Sequence, residues 1–128
     1  MRLQNKVAVI TGAASGFGEA IAKRYAAEGA SVMVADLDEV GAKRVATEIK
    51  ERGGQAESLR ADVTKTADAE AMIQATVKVF GRLDILVNNA GMTVVGTLDS
   101  NNENDWNNVI NTNLRGPWAL SKYWLNSR

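Results

Sequence analysis

The chain has 128 residues, 45% of them hydrophobic, which suits one domain with a real core and leaves too little for two. Lys plus Arg balance Asp plus Glu at 15 each, so no basic field exists to attract nucleic acid and no polybasic segment to attract anionic lipid. Cysteine and histidine are both absent, which excludes disulfides, a thiol nucleophile, the commonest zinc ligand and the commonest general base.

Met1 to Lys6 run straight into an apolar stretch, and no apolar run reaches membrane-spanning length, so a soluble, cytoplasmic protein is expected. Lys6 to Thr11 reads as the first strand. Thr11-Gly12-Ala13-Ala14-Ser15-Gly16-Phe17-Gly18 follows it directly and opens a helix from Gly16 to Glu28, closed by Gly29. Ser31 to Ala35 is a second strand. Asp38 can cap the next helix, which buries Val45 and Ile49 and stops at Gly53-Gly54. Ala56 to Ala61 is a third strand, and Thr64 or Thr66 caps a third helix whose apolar positions are Met72, Ala75, Val79 and Phe80. Gly81 ends that helix, and Leu83 to Val87 is a dense apolar fourth strand. After Gly91 a loop runs through Thr97 and Leu98, and the Asn-rich stretch Ser100 to Asn104 begins a long helix holding Trp106, Val109 and Ile110. The three tryptophans, at 106, 118 and 124, read as core or interface rather than as a nucleotide platform.

This β-α-β-α-β-α-β order demands parallel strands, right-handed crossovers and helices on both faces. The expected fold is therefore α/β, a doubly wound (Rossmann) sheet with strand order 3-2-1-4. Its switch point lies between strands one and four, where Gly12 to Gly18 and Asn88-Asn89-Ala90-Gly91 both end up. Three glycines between a strand and a helix let the backbone turn sharply and approach a pyrophosphate, with N–H groups and the helix dipole facing the anion. A plain strand-to-helix turn is the alternative. Asp36, some twenty residues on and at the end of strand two, is the acid expected to bond ribose hydroxyls and repel an extra phosphate, which favours NAD over NADP; its other reading is a helix cap, a task for which Asp38 is better placed.

Thr-Gly-(x)3-Gly-x-Gly after strand one, Asp62-Val63 after strand three, Asn88-Asn89-Ala90-Gly91 after strand four and Asn113-Leu114-Arg115-Gly116 stand in one order and spacing. In this the chain resembles the short-chain dehydrogenase/reductase family over nearly its whole length. The resemblance implies nicotinamide-dependent chemistry on a small alcohol or carbonyl. It implies that Gly12, Gly16 and Gly18 form the pyrophosphate turn, with Ser15 and Phe17 supplying backbone groups. Asp62 and Val63 would contact adenine, Asp62 having the alternative of a loop acid capping the next helix. Asn88, Asn89, Ala90 and Gly91 would run beneath the cofactor ribose, with Asn89, Ala90 and Gly91 as the binding residues, while also bracing the strand end. Asn113 matches a catalytic asparagine whose main-chain carbonyl holds a water. Pro117, four residues later, has no N–H to close the helical bond to that carbonyl, so a helix continuing through this region would leave it free; a helix ending near Gly116-Pro117 is the alternative.

The family's Tyr-(x)3-Lys pair is missing, since Tyr25 is followed four residues on by Gly29 and Tyr123 by Ser127. The catalytic serine and that pair would lie beyond Arg128. The resemblance is thus to an NAD-binding, C-terminally incomplete portion spanning 1–128, inactive alone in hydride transfer and part of a homo-oligomer. The other reading is a stand-alone, non-catalytic NAD-binding or dimerising module.

Overall fold

The structure, a computed structural model, describes residues 1–127. Four strands, β1 (Val7–Thr11), β2 (Ser31–Asp36), β3 (Gln55–Arg60) and β4 (Ile85–Val87), form one sheet in the order β3-β2-β1-β4. Every pairing is parallel, with Thr11 beside Ala35, Asp36 beside Arg60 and Ile10 beside Val87. This register brings the carboxyl ends of all four strands to one edge. The expected order and fold class are what the chain adopts.

Helices α1 (Gly16–Ala27), α2 (Glu39–Glu51) and α3 (Thr66–Phe80) make the crossovers. Alternate residues of the central strands serve opposite faces: Ile10, Val32 and Val34 pack with Ala22, Val45 and Ile49, while Val7, Val9, Met33 and Ala35 pack with Met72, Ile73 and Leu120. Burial on both faces explains why β1 and β2 read as unbroken apolar runs rather than alternating ones. In α3 the buried stripe is Ala69, Met72, Ile73 and Thr76, whereas Val79 is exposed. The buried Thr76 hydroxyl is satisfied by donating to the Met72 carbonyl at 2.8 Å.

Local chemistry shifts several boundaries. Asp38 caps α2 as expected, its carboxylate accepting from the Gly41 N–H at 3.0 Å. Neither Thr64 nor Thr66 caps α3: Lys65 holds the cap position without a side-chain bond, because the Thr64 hydroxyl donates to Asp62 instead. β4 begins at Ile85 rather than Leu83, since the Val7 N–H is taken by the Asp84 carboxylate at 2.9 Å.

The C-terminal helix starts at Glu103, where Asn102 and Asp105 form a reciprocal capping box. It runs as α4 (Glu103–Ile110), a π turn (Asn111–Arg115) and α5 (Gly116–Asn126). The chain therefore does not stop being helical at Gly116-Pro117. The widened turn accommodates the proline: the Gly116 N–H reaches the carbonyl of Asn111, five residues back, and the helix resumes its tighter winding beyond. In an α register Pro117 deprives the Asn113 carbonyl of its donor, and in the π register it deprives Thr112. Of the tryptophans, Trp124 donates its indole N–H to the Leu83 carbonyl at 2.9 Å, while Trp106 and Trp118 are exposed. No helix among the described residues is long and apolar enough to cross a membrane.

Candidate functional site

A cleft of about 590 Å³ opens at the carboxyl edge of the sheet. Of the residues singled out in the sequence, it is lined by Gly12, Ser15, Phe17, Asp36, Asp62, Val63, Asn89, Ala90 and Gly91. Thr11, Met92 and Thr112 line it as well. Asn88 is exposed and outside it, and Gly16 and Gly18 shape the turn without lining it.

The three turn glycines are needed for three different reasons. At Gly18 a Cβ would sit 2.1 Å from the Gly12 carbonyl oxygen and 2.6 Å from Asn89 Nδ2, so only glycine lets α1 approach the turn. At Gly16 nothing lies within 4 Å, and the requirement is the left-handed φ of 58°. Gly12 combines both, with φ 64° and a Cβ position 2.9 Å from Ala90 Cα. A plain strand-to-helix turn needs no such contact with the segment that follows a fourth strand.

Backbone donors complete the turn. The Ala13 N–H goes to the Ala35 carbonyl at 3.1 Å, that of Ala14 to Asp36 at 3.0 Å, and that of Glu19 to the Ser15 carbonyl at 3.2 Å. The N–H groups of Ser15, Gly16, Phe17 and Gly18 have no acceptor among the described residues. Four neighbouring unpaired donors at a helix N-terminus, beside a cleft, form a cradle for an anion. A diphosphate suits these donors chemically, and the glycine pattern leaves no Cβ at Gly12, Gly16 or Gly18 to obstruct its approach.

Asp36 does more than either reading of it suggests. One carboxylate oxygen accepts from the Ala14 N–H and the other from the Asp38 N–H at 2.9 Å, so it braces the turn and starts the connection to α2. Each oxygen keeps a second lone pair for a hydroxyl in the cleft. Asp62 does not cap α3. Its Oδ1 accepts from the Thr64 N–H and hydroxyl at 2.9 and 2.6 Å, bonds that hold the carboxyl below its ordinary pKa, while the Asp62 N–H is taken by Asp68. Val63 is packed from behind by α5: a Cβ on Gly116 would meet the Val63 carbonyl at 2.9 Å.

Thr11 was not among the expected site residues, yet it ties the two halves of the switch point together. Its buried hydroxyl accepts from the N–H groups of Asn89 and Ala90, each at 3.0 Å, and donates to the Val87 carbonyl at 3.4 Å. The Asn89 amide adds a bond to the Gly12 carbonyl at 3.2 Å. The signal for Thr11 was its position at the start of the glycine pattern, but its partners lie 78 and 79 residues away. Asn113 is tied to the same rim: its side-chain amide pairs with both backbone groups of Met92, accepting at 2.9 Å and donating at 2.7 Å. No cluster of three or more metal-ligating side chains exists among the described residues.

Comparison with known proteins agrees with this geometry. A family profile described as short chain dehydrogenase matches residues 6–127. Galactitol 2-dehydrogenase of Agrobacterium fabrum is 42% identical over 95% of this chain and 46% of its own length. A short-chain dehydrogenase/reductase from Burkholderia phymatum, solved in complex with NAD, superposes with a TM-score of 0.94 at 34% identity, covering 98% of this chain and 45% of that one. A metagenomic short-chain oxidoreductase in complex with NADP gives 0.93 at 34% identity, covering 99% and 58%. The chain spans about half the length of the curated relatives it matches. The unpaired turn donors, the glycine contacts across the switch point and the match over residues 6–127 together make this chain a member of the short-chain dehydrogenase family.

Proposed function

We propose that the chain is the cofactor-binding part of an NAD-dependent dehydrogenase/reductase acting on a small alcohol or carbonyl compound. The observation that carries this reading is the row of four unpaired N–H groups from Ser15 to Gly18 at the mouth of the cleft. In it, Gly12, Ser15, Gly16, Phe17 and Gly18 hold the pyrophosphate, Asp36 the adenosine ribose, Asp62 and Val63 the adenine, and Asn89, Ala90 and Gly91 the second ribose. When bound, NAD supplies the hydride acceptor that turns an alcohol into a carbonyl, or in reduced form the donor for the reverse.

The preference for NAD rests on Asp36. Among the solved relatives one holds NAD and another NADP, so the fold alone does not choose. A carboxylate beside the ribose accepts its hydroxyls and repels a phosphate there. Asn113 is a scaffold for the reacting end: its amide fixes the loop at Met92, and the proline-disturbed turn that contains it offers a backbone carbonyl to water. The 128 residues hold no Tyr-(x)3-Lys pair, so this chain binds nucleotide without transferring hydride. Relatives of twice the matched length favour this reading over a stand-alone binding module. Trp106, Leu114, Trp118 and Leu125, all exposed along α4 to α5, support assembly with further protein, including a second copy.

Calorimetric titration with NAD and NADP is the test. Binding of NAD, weaker binding of NADP and no NADH formation from a panel of secondary alcohols is the expected result. Failure to bind either nucleotide overturns the proposal.

A further inference from the structure

Arg44 stands on α2, thirty residues from the glycine-rich turn, yet its guanidinium reaches it. Nη2 donates to the Ala14 carbonyl at 3.0 Å and to Glu19 Oε1 at 2.9 Å, while Nη1 lies 3.2 Å from both carboxylate oxygens of Glu48. Lys23 bridges Glu19 and Glu48, 2.6 Å from each. The two carboxylates thus fix the guanidinium plane, and the second N–H of Nη2 is left for the turn.

Ala14 is buried and gripped from two sides, its N–H by Asp36 and its carbonyl by Arg44. These bonds act on the two peptide groups flanking it. In a planar trans peptide the C=O and the following N–H point in opposite directions. Holding the Ala14 carbonyl toward Arg44 therefore sets the direction of the Ser15 N–H, the first of the unpaired donors and part of a residue that lines the cleft. We infer that Arg44 is a positioning residue for the anion cradle, orienting the Ser15 N–H through the Ala14 carbonyl rather than touching the ligand itself. This rests on the proposed nucleotide-binding reading and extends it to a residue outside the cleft. It also makes the cation unlike a phosphate-binding arginine, because both arms are committed to Glu19, Glu48 and the turn.

The test compares two probes on the 128-residue chain by nuclear magnetic resonance titration: adenosine, which lacks the diphosphate, and ADP-ribose, which carries it. In Arg44→Met the expected result is about a tenfold loss of ADP-ribose affinity, the scale of one hydrogen bond from a charged donor, with adenosine affinity changed less than about twofold. Arg44→Lys keeps a cation between Glu19 and Glu48 but loses the fork, and is expected to fold and to show a smaller loss in the same direction. It decides the matter should Arg44→Met not fold. Unchanged ADP-ribose binding in a folded variant, or parallel loss of both probes, overturns the role of Arg44. Failure of the unsubstituted chain to bind ADP-ribose overturns the nucleotide-binding reading itself, and the role of Arg44 with it.

Discussion

Replacing Gly18 by alanine isolates the contact that holds α1 against the turn. The added Cβ would lie 2.1 Å from the Gly12 carbonyl oxygen, 2.7 Å from its carbon and 2.6 Å from Asn89 Nδ2. Two of these atoms are backbone, so relief requires the helix or the turn to move by about 1 Å rather than a side chain to rotate. Overpacking of this kind costs about 1–3 kcal/mol, and loss of the Asn89–Gly12 bond adds about 1 kcal/mol. The better helix propensity of alanine returns somewhat under 1 kcal/mol. A net loss of about 1–3 kcal/mol follows, which for a chain of this size lowers Tm by roughly 4–12 °C. Gly16→Ala meets no atom within 4 Å and carries only the left-handed strain of about 1 kcal/mol, or roughly 3–5 °C. Thermal unfolding followed by circular dichroism compares the two. A Gly18→Ala chain melting within 3 °C of the parent, or above Gly16→Ala, would refute the reasoning.

Thr11→Val removes the acceptor for two partly buried N–H groups, and urea denaturation should show a loss of about 2–4 kcal/mol, with Thr11→Ser recovering most of it. Asp36→Asn removes the charge together with one of the two acceptors that brace the turn, so the proposed preference for NAD over NADP, measured by calorimetry, should fall by about tenfold or more; an unchanged ratio removes Asp36 from cofactor selection. Glu19 is pulled from 4.5 to about 2 by its bonds to Arg44 and Lys23. A carboxyl with a depressed folded pKa stabilises the fold above its unfolded pKa and loses that contribution as pH falls through the folded one. The stability advantage of the parent over Glu19→Gln should accordingly be full at pH 6, shrink from about pH 4.5 toward pH 2, and be smaller at high salt because the pairs are partly solvated. An advantage that grows on acidification would contradict the assignment.

Strand order, the two-faced core and the meeting of the glycine turn with Asn89 to Gly91 at one rim were legible in the sequence because each rests on local pattern. The apolar runs at Val7 to Ile10 and Val32 to Ala35 specify buried parallel strands, and short connections with one handedness leave few topologies. The glycines at 12, 16 and 18 announced a close backbone approach without saying to what. Only the folded chain shows that Gly18 meets Gly12 and Asn89, and that Gly12 meets Ala90. The same holds for Thr11, whose hydroxyl serves amides from the far side of the switch point, and for Arg44, which carries no local signal at all. Pro117 announced a disturbed helix, but whether the chain would end there or widen depended on α5 packing its Ala119 and Leu120 into the core beside α3. Sequence pattern governs which backbone forms are favourable, because those energies are set by neighbours along the chain. The directions of the Thr11 hydroxyl and of the peptide groups flanking Ala14 are set by partners brought together across 22 to 79 residues of chain, and that was decided only when the sheet closed.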